Sequence, residues 1–218
     1  MGNVTTCAIT GLEAEARIAR RAGVHAVTIG GGRERRGAAI ERIVAEGATG
    51  LVSFGIAGGL DPRLRPGSVL VPETVYAETG EAYSVDADWR RLMIGRIPDG
   101  IGGALYGAET VVATSREKRA LFARTGSVAV DLESAAVARI AAKCGIPFIV
   151  LRTVADPAHR SLPRAAINGL TGEGKVAFSA VVGHLTRRPH QLPALLVIAV
   201  DTRRALAAIH DAAHAVRR

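Results

Sequence analysis

The sequence predicts an α/β fold, and two recurring patterns carry that prediction. Short unbroken apolar runs, Leu51-Val52-Ser53-Phe54 and Phe148-Ile149-Val150-Leu151 among them, have the character of parallel strands covered on both faces. Between such runs the apolar residues recur every three or four positions, as Ala136, Val137, Ile140 and Ala141 do, which gives a helix one face to lay on a sheet. The 218 residues are 48% apolar with no long polar tract, enough for one core in a single domain spanning 1–218. Aromatic residues are only 4%, so packing rests on Ala, Val, Ile and Leu.

Val4–Ile9 reads as the first strand, and Leu12–Arg21 as the helix it feeds. Glu13 and Glu15 lie in that helix's first turn, where the helix dipole favours acids whatever else they do. Ala26–Ile29 is a short strand that runs into Gly30-Gly31-Gly32-Arg33. A glycine turn before a helix offers backbone N–H groups to an anion, which makes Gly31, Gly32 and Arg33 a candidate phosphate cradle. The spacing matches neither dinucleotide nor P-loop fingerprints, and a simple tight turn is the better account of the glycines.

A helix at Glu34–Ala45 precedes the strand Leu51–Phe54, which runs into a glycine-rich turn from Gly55 to Pro62. Strand-like alternation covers Ser68–Tyr76, interrupted by Pro72, and Glu81–Val85 pairs back on it. A helix at Ala87–Arg96, short strands at Ile101–Tyr106 and Thr110–Ala113, and a helix at Ser115–Arg124 follow. Next comes a strand–helix–strand unit: Ser127–Val130, a helix from about Glu133 to Cys144, and Phe148–Leu151. Glu133 and Asp156 stand just beyond its two strands, where open α/β sheets collect ligands. The bland alternative is that Glu133 complements a helix N-terminus and Asp156 caps a turn beside Pro157.

Beyond a loop at His159–Pro163, helical stretches are expected at Arg164–Leu170 and Lys175–Leu185. The last helix, Leu192–Val216, belongs to a C-terminal extension spanning 187–218. Its apolar stretch Leu192–Val200 is too short to span a bilayer. Flanked by Arg187, Arg188, Arg203 and Arg204, it suits peripheral contact with a membrane surface.

The net charge of +8 invites a nucleic-acid reading, but the arginines are scattered and no recognition module accompanies them, so no nucleic-acid partner is expected. Cys7 and Cys144, outside any CxxC, read as buried free thiols of a reducing cytoplasm. The N-terminus lacks a signal-peptide pattern, and the expected location is cytoplasmic. The histidines have no metal-site spacing, although His210 and His214 lie four apart on a helix, so no metal is expected.

Three segments together resemble the nucleoside phosphorylase and nucleosidase superfamily that includes methylthioadenosine/S-adenosylhomocysteine nucleosidase. They are Phe54-Gly55-Ile56-Ala57-Gly58-Gly59-Leu60 with Arg65-Pro66-Gly67-Ser68-Val69, then Val130-Asp131-Leu132-Glu133-Ser134-Ala135-Ala136, then Leu151-Arg152-Thr153-Val154-Ala155-Asp156. The resemblance implies a three-layer sandwich, with a central twisted mixed sheet flanked by helices. It also implies cleavage of an N-glycosidic bond without a cofactor, by a homo-oligomer. Asp156 then matches the acid that protonates the purine at N7, Glu133 the acceptor of the ribose hydroxyls, and Glu15 the base that activates water. Leu132, Arg152, Ile56, Ala57 and Gly58 are placed around the substrate.

The tail from Arg187 to Arg203 is similar to the hopanoid-associated phosphorylase branch, whose members are implicated in removing adenine from adenosylhopane. The departures are Ile56, Ala155 and Leu132, where the family has serine, serine and methionine, and Ser53, where hexameric phosphorylases have arginine. Losing these side chains weighs against the usual phosphate site and leaves both water and phosphate open as nucleophile. The lost serines also leave open a nucleoside-binding protein without catalysis.

Overall fold

The computed structural model describes residues 5–97, 99–163 and 192–217. The strands are β1 (Thr6–Thr10), β2 (His25–Thr28), β3 (Gly50–Gly59), β4 (Val69–Leu70), β5 (Thr74–Ala77), β6 (Ala82–Ser84), β7 (Ala104–Gly107), β8 (Ala129–Asp131) and β9 (Phe148–Asp156). The helices are α1 (Glu13–Arg21), α2 (Arg33–Ala45), α3 (Ala87–Arg96), α4 (Ser115–Thr125), α5 (Ser134–Cys144) and α6 (Leu192–Arg217).

One mixed sheet runs in the order β2-β1-β3-β8-β7-β5-β6, with β9 pairing both β3 and β4. The pairs β1–β2, β1–β3, β3–β9, β5–β7 and β7–β8 are parallel, and β3–β8, β4–β9 and β5–β6 are antiparallel. Period-two alternation sends successive side chains to opposite faces and creates two cores. Leu51, Phe148 and Val150 meet Ile40 of α2 and Val137 and Ala141 of α5 on one face. Val52, Phe54, Ile149 and Leu151 meet Ala16 and Ala19 of α1, Met93 of α3 and Ile209 of α6 on the other. The result is the expected three-layer sandwich.

Two strands are longer than the apolar runs suggest. β3 continues through the glycines to Gly59, where a turn was expected, and β9 continues to Asp156. Each satisfies the other's backbone: the ladder runs from Leu51↔Phe148 to Gly58↔Asp156, with a register shift at Ala57/Gly58. Glycine is needed where the strand passes the site, because the Gly55 backbone sits at φ +152°, a conformation that disfavours a side chain.

Thr110–Ala113 forms no strand, and Ile101 contributes only an isolated bridge to Leu70. Pro72 splits the expected Ser68–Tyr76 strand into β4 and β5, since it has no N–H for a ladder. Cys7 is buried, but Cys144 is exposed at the end of α5. The helical stretches expected at Arg164–Leu170 and Lys175–Leu185 lie outside the described residues.

The C-terminal helix is part of the sandwich along its second half. Ala205, Ile209, Ala212 and Ala213 are buried, and the Thr153 hydroxyl donates to the Ala205 carbonyl at 2.9 Å. Its first turns expose Leu192, Leu196, Val197 and Val200. Among the described residues no helix is long and apolar enough to cross a membrane.

The sheet and α5 approach closely at Gly107 of β7, where a Cβ would lie 2.8 Å from the Ala135 nitrogen and 3.0 Å from its Cα. Gly107→Ala must push α5 off the sheet, since backbone cannot yield as a flexible side chain can. The expected cost is about 1–3 kcal/mol, read as a lower urea midpoint with an unchanged m-value.

Candidate active site

Glu15 owes its position to the start of α1. Leu12 at the N-cap has extended backbone but no side-chain acceptor, so Glu15 folds back instead. Its Oε2 accepts from the N–H groups of Gly11 at 3.0 Å and Leu12 at 2.8 Å, filling half of a capping box. Its Oε1 crosses to β3 and accepts from the Ile56 N–H at 2.8 Å. The side chain is buried, and burial pushes its pKa up to about 7, with Arg152 opposing and Glu133 adding to the rise.

Arg152 of β9 occupies the space between the acids. Its Nη2 lies 2.8 Å from Asp131 Oδ2 and 3.1 Å from Glu133 Oε2, and donates to Ser53 Oγ at 2.8 Å. Asp131 is held in turn by Ser134, whose N–H donates to Oδ1 at 3.1 Å and whose hydroxyl donates to Oδ2. Ser53 and Ser134 hydroxyls share a hydrogen bond of 2.8 Å. Burial raises the Glu133 pKa, against the pull of Arg152 and with the push of Asp131. At Gly55 a Cβ would fall 2.5 Å from Glu15 Oε1 and 2.6 Å from Arg152 Nη1, so the glycine admits both groups.

Asp156 ends β9 with its side chain 15% exposed. Burial raises its pKa, and the Lys118 ammonium beside it opposes the rise. Across the ladder Gly58 leaves room for it, since a Cβ there would come within 3.3 Å of Oδ2.

These acids meet at one cavity of about 410 Å³, which Glu15, Glu133 and Asp156 all line. Ile56, Ala57, Gly58, Val130 and Leu132 add its central wall, and Ile29, Val111, Val112 and Leu162 are further apolar lining. Such a space can offer a proton donor at one place and carboxylate acceptors at others.

Three expected site residues lie elsewhere. Arg152 is 1% exposed and sits beneath the cavity, because the two acids it neutralises hold it there. Gly31 lines the cavity, but Gly32 and Arg33 do not. Gly32 is the N-cap of α2, and Arg33, 40% exposed, turns toward Glu109 at 3.8 Å. Arg36 reaches the cavity instead, yet its guanidinium is taken by the Leu132 carbonyl and by Glu109 at 3.0 Å.

A model of the phosphorylase superfamily matches residues 17–186. The chain belongs to that superfamily. A curated relative, the 5′-methylthioadenosine/S-adenosylhomocysteine nucleosidase of Marinomonas sp. (strain MWYL1), is 29% identical over 146 residues, which is 53% of this chain. The chain spans 59% of that relative's length. Among solved structures, the 5′-methylthioadenosine/S-adenosylhomocysteine nucleosidase of Neisseria meningitidis, in complex with methylthio-immucillin-A, superposes with a TM-score of 0.73 at 16% identity, covering 98% of both chains. The S-adenosylhomocysteine nucleosidase of Streptococcus pyogenes gives 0.70 at 16% identity, again over 98% of both. The futalosine hydrolase of Helicobacter pylori gives 0.64 at 17%, covering 84% of this chain and 99% of its own. At these identities the likeness is one of fold.

Within this superfamily member, sequence reasoning missed Asp131 as the partner of Arg152, Ser134 as its clamp, and Lys118. Asp131 was visible as the first acid of Val130-Asp131-Leu132-Glu133. Lys118 had one faint signal: it falls three residues before buried Leu121 on α4, at a position an apolar residue would take.

Arg152→Leu strands Asp131 and Glu133 as buried charges, and is expected to destabilise the fold by about 3–5 kcal/mol at neutral pH. Without the cation nothing at this position opposes burial, and the Glu133 pKa rises further above its unfolded value. The penalty is therefore absent below the unfolded pKa and grows as pH rises. Thermal melts of variant and parent should converge at acid pH; a constant gap would show the loss to be packing alone.

Proposed function

We propose that this chain cleaves the N-glycosidic bond of an adenine nucleoside and releases adenine. The supporting observation is that Asp156, Glu133 and Glu15 line one cavity. Each then has a task suited to its surroundings. Asp156, protonated, gives a proton to the purine N7 as the bond from C1′ to N9 breaks and its electron pair withdraws into the base. Glu133 accepts hydrogen bonds from the 2′- and 3′-hydroxyls of a sugar that has gained positive charge. Glu15 takes a proton from the nucleophile.

Water is the proposed nucleophile. Ser53 is committed to Ser134 and Arg152, Ile56 has no hydroxyl, and Arg36 is held by Glu109, so little is left to hold phosphate. Glu15, with a pKa of about 7, is tuned for a base working near neutrality. For the substrate we propose a bulky apolar 5′ substituent, adenosylhopane in particular, supported by the apolar lining and the hopanoid-like tail. The exposed leucines and valines that open α6 would then rest on the lipid that carries it, in a cytoplasmic homo-oligomer. The second reading, a nucleosidase for methylthioadenosine or S-adenosylhomocysteine, is favoured by the Marinomonas relative's name.

Incubating the full chain with adenosylhopane and with methylthioadenosine, each with and without phosphate, separates these readings. The expected products are adenine and a free reducing sugar, with no sugar 1-phosphate and with adenosylhopane preferred. Adenine from neither substrate would overturn the proposal. Asp156→Asn is expected to slow release by about 10²–10⁴-fold while the variant still binds nucleoside. Release by the parent should fall as pH drops below about 7 and Glu15 becomes protonated.

A further inference from the structure

Lys118 is fully buried, on the face of α4 that looks toward the end of β9. Burying an ammonium is costly unless every proton finds an acceptor. Here Nζ meets Asp156 Oδ2, the carbonyls of Arg160 at 3.1 Å and Pro157 at 3.2 Å, and more distantly the Asp156 carbonyl at 3.4 Å. The lysine therefore ties both the carboxylate and the loop that follows it.

The helix that carries this lysine is itself fixed. Thr114 and Glu117 form a capping box at its start. Ser115 N–H donates to Ser161 Oγ at 3.0 Å, and Leu162 N–H to the Ala113 carbonyl at 2.8 Å, so α4 and the loop are stitched on both sides of Lys118. Among the described residues the other charge near the carboxylate is Arg160 of the same loop, whose guanidinium is taken by Asp201 of α6. The strands alongside add only Gly58 from β3 and Val130 from β8, neither charged, while Glu133 and Glu15 line the same cavity.

From this arrangement we infer that Lys118 is the positioning residue of the proposed acid: its ammonium clamps one oxygen of Asp156, turns the other to the cavity, and favours the carboxylate over the neutral acid until a ligand arrives. This rests on the reading of Asp156 as proton donor. Its consequence is that the proton for the base is taken up from solvent by Asp156 as the ligand binds. A base nitrogen beside the free oxygen supplies the partner that makes a shared proton favourable, whereas in the empty site the ammonium already satisfies the charge. Burial alone would favour the neutral acid, and the lysine opposes it.

The test follows the Asp156 carboxyl by ¹³C NMR titration in the full chain, with Asp156→Asn to assign the signal. In Lys118→Gln, whose amide can still donate to the loop carbonyls, the midpoint is expected to rise by about one to three pH units. The alkaline limb of adenine release should move the same way while kcat falls. A folded variant with an unmoved midpoint would overturn the inference. The parent gives an independent check that needs no Lys118 variant. The Lys118 side-chain resonance should show an inflection at the Asp156 midpoint that disappears in Asp156→Asn, and its absence in the parent would also overturn the inference. The NMR readouts need no turnover. A parent that releases no adenine defeats the proposed function, while an immobile midpoint in an active enzyme defeats only the role of Lys118.

Discussion

The site hangs on one buried guanidinium. Arg152 faces Asp131, Glu133 and, at longer range, Glu15, and is the cation that the electrostatics of all three share. Three acids brought this near to one another in a dry interior would repel, so their joint burial requires this charge. The strand that carries Arg152 has little freedom, because β9 is laddered to β3 over most of its length. Alternation along β9 fixes which face the arginine meets. Val150 and Arg152 point to the α5 side and Leu151 to the other, so the residue that neutralises the acids also fixes the register of the core.

Glycine makes that register usable. β3 passes between Glu15 and Arg152 at Gly55 and beside Asp156 at Gly58, and at Gly55 a methyl group would collide with both neighbours. A strand with side chains here would close the gap that the charges occupy. This also explains why these glycines read as a turn: a local pattern of small residues signals a chain reversal, whereas the chain runs straight with β9 supplying its hydrogen bonds. The layers, the three motif segments and the acids at the strand ends were legible because each depends on residues close in sequence. The glycine-rich strand was not, since its cause lies almost a hundred residues away.

The same distinction separates the readable parts of the site from the hidden ones. Glu133 and Asp156 follow from standing just past apolar runs, and Glu15 from the first turn of a helix. Glu15 caps α1 with one oxygen, as an acid in a first helical turn should, and reaches β3 with the other. Arg36 and Arg33 could not be told apart in a cluster of like residues: both turn toward Glu109, more than seventy positions on, and the Leu132 carbonyl is what further holds Arg36 at the cavity. Lys118 was hidden for a related reason. Its position on α4 is apolar by pattern, and its partners belong to a loop that sequence alone leaves without shape.

Comparing the two buried acids shows how one cavity can favour opposite protonation roles. Burial drives both pKa values upward. Glu15 is then held by three backbone N–H groups, which are rigid, cannot give up a proton, and favour a carboxylate that accepts. Asp156 is held by a lysine, whose ammonium meets one of its oxygens. In the proposed reaction a nucleoside covering Asp156 would remove water from that end and add a base nitrogen, both of which would favour the protonated form. Nothing comparable happens at Glu15, whose partners are already in place. The asymmetry that the proposed general acid and general base require would thus come less from how deeply each carboxyl is buried than from what holds it.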